Sequence, residues 1–212
     1  MGEVVAVVPL RDGRSGKTRL AGVLGPEART RLVGVLARHV AATLLDVEPV
    51  DRVLVLTQDP DFAGGVVPPG PRLRVVRQAP DRPGLNGAAR QGLELARTYG
   101  AGRVLLIHAD LPLLDGEDVR ALLAPAGRIV LATDRTHEGT NALVLDTALD
   151  YAFRFGPGSR ALHREEAERL GQAVVEVDRS GTAIDLDSPA DWAALPGEVR
   201  DRVVAAVGLA HR

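Results

Sequence analysis

The chain has 212 residues, 45% of them hydrophobic and 25% charged, with 26 basic and 28 acidic side chains and a formal net charge of −2 at pH 7. That length suits one domain with a sizeable core, residues 1–212, and the balanced charge argues against a general nucleic-acid binder, which carries a basic excess. There is no Cys and only 3% aromatic content, which excludes disulfides, thiolate metal sites and a cysteine nucleophile and speaks against a stacking platform for single strands.

Val4–Val8 is a short apolar run that predicts a strand; with Arg11 close behind it, it is neither a signal peptide nor a membrane span, and the expected location is the cytoplasm. The loop after it, Pro9 to Leu20, mixes small and basic residues. Its glycines let a backbone approach an anion, and Arg11, Lys17 and Arg19 can neutralise a triphosphate. Gly16-Lys17-Thr18 has the end of a P-loop, but position 11, where that motif needs its first Gly, is Arg, so a P-loop ATPase is excluded by spacing. The alternative for this loop is a solvated basic turn.

A helix is predicted over Glu27–Leu45, with Leu32, Leu36, Val40 and Leu44 on one stripe and Pro26 in its first turn. Val53–Leu56 and Leu73–Val76 read as strands, and the Pro/Gly-dense stretch Gly64 to Pro71 between them reads as a loop. A Gly-rich turn, Arg82 to Gly87, then opens a helix over Ala88–Thr98. Asn86 there either caps the helix or uses its amide to read a base or ribose.

The strand Val104–Ile107 runs directly into His108-Ala109-Asp110. A carboxylate at the end of a buried strand suits Mg²⁺ bound to phosphates, because a hard cation takes oxygen ligands. The alternative is a turn cap, although Asp115-Gly116 already supply turn chemistry before a helix at Glu117–Leu123. His108 reads as a structural residue rather than a base. Strands at Ile129–Leu131 and Ala142–Leu145 flank the small, polar stretch Asp134 to Asn141. Before the next helix, Arg160–Leu170, the amides of Gly156, Gly158 and Ser159 and the Ser159 hydroxyl offer an anion site, or Ser159 simply caps the helix. Val174–Val177 is the last strand. If residues 184–187 are extended, Asp185 and Asp187 share a face, and either could complete a metal shell begun by Asp110; alternatively Asp187 only caps the next helix. Ser188-Pro189 reads as an N-cap with Pro at the first position of a helix through Trp192, and Glu198–Val207 as a last helix. Near-continuous apolar strands alternating with helices predict a three-layer α/β/α sandwich, with ligands beyond the carboxyl ends of the strands.

Lys17-Thr18-Arg19-Leu20, Leu85-Asn86, His108-Ala109-Asp110-Leu111-Pro112, Gly139-Thr140-Asn141-Ala142-Leu143, Phe155-Gly156-Pro157-Gly158-Ser159 and Asp185-Leu186-Asp187-Ser188-Pro189 occur in one order. In that order the chain resembles, over nearly its whole length, the phosphoenolpyruvate / 2-phospho-L-lactate guanylyltransferase family of coenzyme F-420 biosynthesis. The segments from Gly139 and from Phe155 are its most specific parts; the one at His108 is shared with sugar-phosphate and molybdopterin nucleotidyltransferases. One departure is Leu10-Arg11, where the family start reads more like Pro-Val-Lys; Arg keeps the charge but changes the geometry.

The resemblance implies a nucleotide-diphospho-sugar transferase-like (Rossmann-like) fold with a mostly parallel, mixed sheet. It implies Mg²⁺ as cofactor, GTP as co-substrate, and transfer of GMP to phosphoenolpyruvate or 2-phospho-L-lactate. An Arg/Ala/Val-rich composition resembling bacterial members points to phosphoenolpyruvate. Lys17, Arg19 and Asp110 are then the catalytic candidates. Arg11, Lys17, Asn86 and Asp110 lie on the GTP side; Thr140, Gly156, Gly158 and Ser159 hold the acid; Asp110 and one of the later aspartates, Asp185 or Asp187, hold the metal. The partners are two small molecules, with no nucleic acid and no membrane, and a homodimer is left open. Two other readings stand beside this one. A glycosyltransferase of the same fold would use an Asp-x-Asp such as Asp185-Leu186-Asp187, and a non-catalytic nucleotide-binding domain would lack the carboxylates or the loop Lys that this chain retains.

Overall fold

The structure, a computed structural model, describes residues 2–13 and 16–208. The strands are β1 Val4–Leu10, β2 Arg52–Thr57, β3 Leu73–Arg77, β4 Arg103–Ile107, β5 Ile129–Thr133, β6 Thr140–Asp146 and β7 Val174–Glu176. All join one seven-stranded sheet in the order β3-β2-β1-β4-β6-β5-β7. Neighbours from β3 to β4 are parallel, β6 is antiparallel to both β4 and β5, and β7 returns parallel to β5. The sheet is therefore mixed but mostly parallel, as expected.

Alternation along the central strands explains why they are almost entirely apolar, whereas the outer β3 and β7 carry Arg74, Arg77 and Glu176. Val4, Ala6 and Val8 face one layer with Leu105 and Ile107, while Val5 and Val7 face the other with Val104 and Leu106. Both faces are covered, so neither set can be polar. On the first face lie α1 (Pro26–Leu45), α2 (Pro60–Val66) and α4 (Gly116–Leu123); on the second lie α3 (Gly84–Thr98) and α5 (Ser159–Arg169). Each fully buried Leu or Val contributes about 1.5–3 kcal/mol relative to exposure. The second layer sits close: a Cβ on Gly92 of α3 would meet Val7 Cγ1 at 2.5 Å, so any larger residue there pushes α3 off β1.

Three features differ from the sequence expectation. Gly64 and Gly65 are not loop but the last turn of α2, whose start is set by Asp59 accepting the Phe62 N–H and by Pro60 at the first position. The start of α3 is Gly84, with Pro83 at the N-cap, so Asn86 lies inside the first turn and does not cap it. The N-cap of α5 is Gly158 at φ 69°, so Ser159 is the first helical residue rather than the cap. The cap predicted at Ser188 is present as a full capping box with Asp191, opening α7 (Pro189–Ala194). Among the described residues, no helix is long and apolar enough to cross a membrane.

A smaller core lies off the edge of α1. There Leu20, Leu24, Leu32 and Leu36 pack with Ile184 and Leu186 and with Val203 and Val207 of α8 (Gly197–Val207). This cluster brings the loop after β1 and the segment before α7 to one place.

Candidate active site

A cavity of about 580 Å³ opens over the carboxyl ends of the central strands. Its wall combines Leu10, Arg11, Lys17 and Arg19 after β1, Gln78 after β3, the start of α3, His108 and Asp110 after β4, and Asp185 and Asp187. Arg14 and Ser15 of the basic loop lie outside the described residues.

Lys17 sits in the left-handed region at φ 58°, and its side chain is only 6% exposed. Its ammonium is bonded to Asp110 Oδ2 and, at 2.6 Å, to Asp187 Oδ1. Burial pulls the Lys17 pKa down, but Asp110 and Asp187 outweigh it and raise the pKa, so the charge persists. Burial pushes Asp110 up; Lys17 outweighs that and holds the carboxyl below its ordinary value. Asp110 does not cap a turn: α4 is capped by Asp115, and Asp110 Oδ1 is buried with no hydrogen-bond partner among the described residues. Asp187 likewise caps nothing, since Ser188 has that task.

Asp185 and Asp187 lie on the cavity because Leu186 between them is fully buried and anchored, its N–H bonding the Asp110 carbonyl at 3.0 Å. The segment is not a strand; Asp187 N–H bonds the Asp185 carbonyl in a tight turn. Burial, then the Asp110 charge, raises the Asp185 pKa above its ordinary value. Asn141 Nδ2 donates to Asp185 Oδ1 at 3.4 Å, and the same amide bonds Thr182 O at 2.8 Å.

Three carboxylates around one ammonium leave an excess of negative charge. The donor set fits a hard divalent cation: all ligands are oxygens, Asp110 Oδ1 is an orphaned buried acceptor, and Asp185 is a carboxyl whose ionised form is opposed by burial and by Asp110. As arranged, with Lys17 between Asp110 and Asp187, no group of three or more His, Asp or Glu side chains among the described residues closes on a metal position.

Other expected residues fall elsewhere. Arg11 and Arg19 are exposed on the cavity wall. Asn86 does not line the cavity: its Oδ1 accepts the Phe155 N–H at 2.7 Å and its Nδ2 donates to the Phe155 carbonyl at 3.1 Å, so as placed its amide reads no base. Thr140 and Ser159 are buried beside the cavity rather than on its wall. The Ser159 N–H is taken by Gly156 O at 3.1 Å, whereas the N–H groups of Gly156 and Gly158 bond to no described residue.

Sequence reasoning missed three polar residues here. Gln78, directly after β3, donates its amide to Arg82 O and Gly84 O at 2.6 and 2.7 Å, which leaves Oε1 without a partner among the described residues at the cavity wall. The same rule that found Asp110, a polar side chain directly after a buried strand, would have found it. Asn141 bridges β6 to the Asp185 segment. His163, four residues after Ser159 on α5 and so on the same face, bonds Thr140.

The fold recurs in solved structures. A protein described as a nucleotide-diphospho-sugar transferase from Desulfovibrio desulfuricans G20 superposes with TM-score 0.78 at 15% identity, over 98% of this chain and 97% of that one. CMP:2-keto-3-deoxy-manno-octonic acid synthetase complexed with CTP superposes with TM-score 0.61 at 16% identity, over 96% and 99%. This is the fold of the nucleotide-diphospho-sugar transferases, with an acidic cluster and a basic turn facing each other over the strand ends. The chain belongs to the family described as guanylyl transferase CofC like, which matches residues 4–196. A phosphoenolpyruvate guanylyltransferase of Rubrobacter xylanophilus is 39% identical over 195 residues, covering 91% of this chain and 93% of that one. A 3-phospho-D-glycerate guanylyltransferase of Phenylobacterium zucineum is 32% identical, covering 88% and 86%. A 2-phospho-L-lactate guanylyltransferase of Haloarcula marismortui is 34% identical, covering 86% and 80%.

Proposed function

We propose that this chain transfers GMP from GTP to a phosphorylated three-carbon acid, phosphoenolpyruvate foremost, in the cytoplasm. The observation that carries the reading is the Lys17–Asp110–Asp187 constellation on the wall of a nucleotide-sized cavity. A phosphate oxygen of the acid attacks the α-phosphorus of GTP in line. One P–O bond forms, the bond to the β-phosphate breaks, and pyrophosphate leaves with the electron pair. The nucleophile is already an anion at neutral pH, so no strong general base is required.

The work of the protein is then positioning and charge neutralisation. Lys17 supplies a buried positive charge beside the phosphates, and Arg11 and Arg19 supply exposed ones at the rim. Mg²⁺, when bound, would neutralise the triphosphate and the leaving pyrophosphate, and Asp110 with Asp185 and Asp187 would hold it. The base lies at the other end, where Leu85 and Ala88 offer apolar surface and Gln78 Oε1 a fixed acceptor for guanine N–H groups. The acid is assigned to Thr140, Ser159 and the amides of Gly156 and Gly158, none of which lines the cavity as it stands.

All three acids named for the relatives carry one phosphate and one carboxylate, so this cradle suits the shared groups. Phosphoenolpyruvate is placed first because the relative at 39% identity bears that name. Pyrophosphate release should be measured with GTP alone and with each of the three acids. Release with phosphoenolpyruvate at the highest kcat/KM supports the proposal. A clear preference for another acid replaces the acceptor, and release with none of them removes the activity.

A further inference from the structure

His163 is fully buried in α5, and both of its ring nitrogens are engaged. Nε2 accepts the backbone N–H of Arg154 at 3.1 Å, and an amide N–H can only donate. Nε2 therefore carries a lone pair, and in a neutral ring the proton sits on Nδ1. Nδ1 lies 3.0 Å from Thr140 Oγ1, so that hydrogen bond runs from His163 to the hydroxyl. With one lone pair of Oγ1 occupied, the Thr140 O–H proton is left to point elsewhere, and it has no other partner among the described residues. Burial lowers the His163 pKa to about 4, so the ring stays neutral at ordinary pH.

The same residue, through its ring and its backbone, also contacts the adjoining loop. Phe155 packs edge-on to it at 4.8 Å, and the Tyr151 hydroxyl donates to the His163 carbonyl at 3.1 Å. Asn86 clasps the Phe155 backbone from α3. His163 thus joins the start of β6, the turn at Gly156–Gly158 and the first turn of α5.

We propose that His163 is a positioning residue for the acid substrate: it accepts the Arg154 N–H, donates to Thr140 Oγ1, and so presents the Thr140 hydroxyl as a hydrogen-bond donor to an anionic oxygen of the phosphorylated acid. This rests on the reading of Thr140 as part of the acid cradle. Such a hydroxyl favours an oxyanion, which only accepts, over a ligand group that must donate.

The test combines kinetics with the imidazole ¹⁵N spectrum. In wild type the spectrum should show the Nδ1–H tautomer of His163 at pH 7, assigned with His163→Asn; the Nε2–H tautomer or an imidazolium overturns the proposal whatever the variants do. KM for GTP and for phosphoenolpyruvate should then be compared in Thr140→Val, His163→Phe, His163→Asn and the Thr140→Val/His163→Phe double variant. We expect KM for phosphoenolpyruvate to rise roughly tenfold in each of Thr140→Val and His163→Phe, the effect of one hydrogen bond to a charged group, with KM for GTP little changed. The double variant should be no worse than the weaker single one, and His163→Asn, which keeps a donor near the Nδ1 position, should recover part of the loss. Equal rises for both substrates, or effects that multiply in the double variant, reduce His163 to a core residue and overturn the proposal. An effect in Thr140→Val but none in His163→Phe does the same while leaving the acid cradle standing. No effect in Thr140→Val removes Thr140 from the cradle, and the proposal falls with it.

Discussion

The backbone N–H of Leu186 meets the Asp110 carbonyl at 3.0 Å, fastening a late segment of the chain to the end of β4. Leu186 is fully buried, so its neighbours Asp185 and Asp187 are held at the cavity on either side of an immobile anchor. Lys17, from the other end of the chain, completes the group by bonding Asp110 and Asp187. A charged site assembled this way depends on packing as much as on charge.

Asp110→Asn should reduce kcat by more than about a hundredfold, because it removes a metal candidate and the main partner of Lys17. Breaking a buried pair from one side also costs about 3–5 kcal/mol, so a lower unfolding midpoint should accompany the kinetic loss. Steady-state rates and urea unfolding on the same preparation measure both. Near-normal kcat in a folded Asp110→Asn enzyme would take Asp110 out of the mechanism.

Lys17→Met keeps most of the length of the side chain and removes the charge. Losing a charge-assisted contact of about 1.5–3 kcal/mol should weaken GTP binding or turnover roughly tenfold or more. GTP titration and single-turnover rates separate the two. Unchanged values for both would confine Lys17 to a structural bridge between Asp110 and Asp187.

Removal of divalent cations with a chelator should abolish turnover, and Mg²⁺ should restore it. In Asp185→Asn the Mg²⁺ concentration for half-maximal rate should rise about tenfold or more, since one anionic oxygen ligand is lost. A wild-type enzyme that turns over fully in chelator contradicts the metal assignment, and an unchanged Mg²⁺ requirement in Asp185→Asn takes Asp185 out of it.

Gln78→Leu should reduce kcat/KM for GTP more than for ATP, narrowing the preference by about tenfold, because a fixed acceptor distinguishes the two purine edges. A structural role alone, through the bonds to Arg82 and Gly84, would lower both nucleotides together. Parallel kcat/KM values with the two nucleotides decide between these outcomes.

The stability of the protein should depend on His163 in acid. Burial first, then the His108 charge, lower its pKa from 6.5 to about 4, against an opposing effect of Glu166. Between those values the unfolded chain binds a proton that the native one does not, so stability is complete above pH 6.5 and falls as pH drops towards 4. The loss attributable to this group is on the order of 3 kcal/mol. Carboxylates held below their ordinary values, Asp110 among them, add their own loss only at still lower pH. The drop in urea midpoint from pH 7 to pH 4 should therefore be larger in wild type than in His163→Phe; equal drops in the two would contradict the assignment.

Much of this protein was legible in its sequence for one physical reason. A strand covered on both faces must be apolar at every position, so the strands stand out as runs, and a polar residue directly after such a run lies at a ligand-binding edge. That reasoning reached all seven strands, and Asp110, Arg11, Lys17 and Arg19 line the cavity. Short helices with conflicting signals were not legible: in α2 the Asp59-Pro60 start prevails over two glycines because Ala63 is buried against the core.

Partnerships between distant residues were decided by the tertiary structure alone. Lys17 meets Asp187 across 170 positions, Asn86 meets Phe155 across 69, and His163 meets Thr140 across 23. Local spacing can say that a residue is able to donate or accept, but not which group will face it. That is set by the packing of Leu20, Ile184 and Leu186 around α1 in one place and of Tyr151 and Phe153 under α3 and α5 in another. The chemistry of the site therefore resides in the residue types, and its geometry in hydrophobic contacts that bring those residues together.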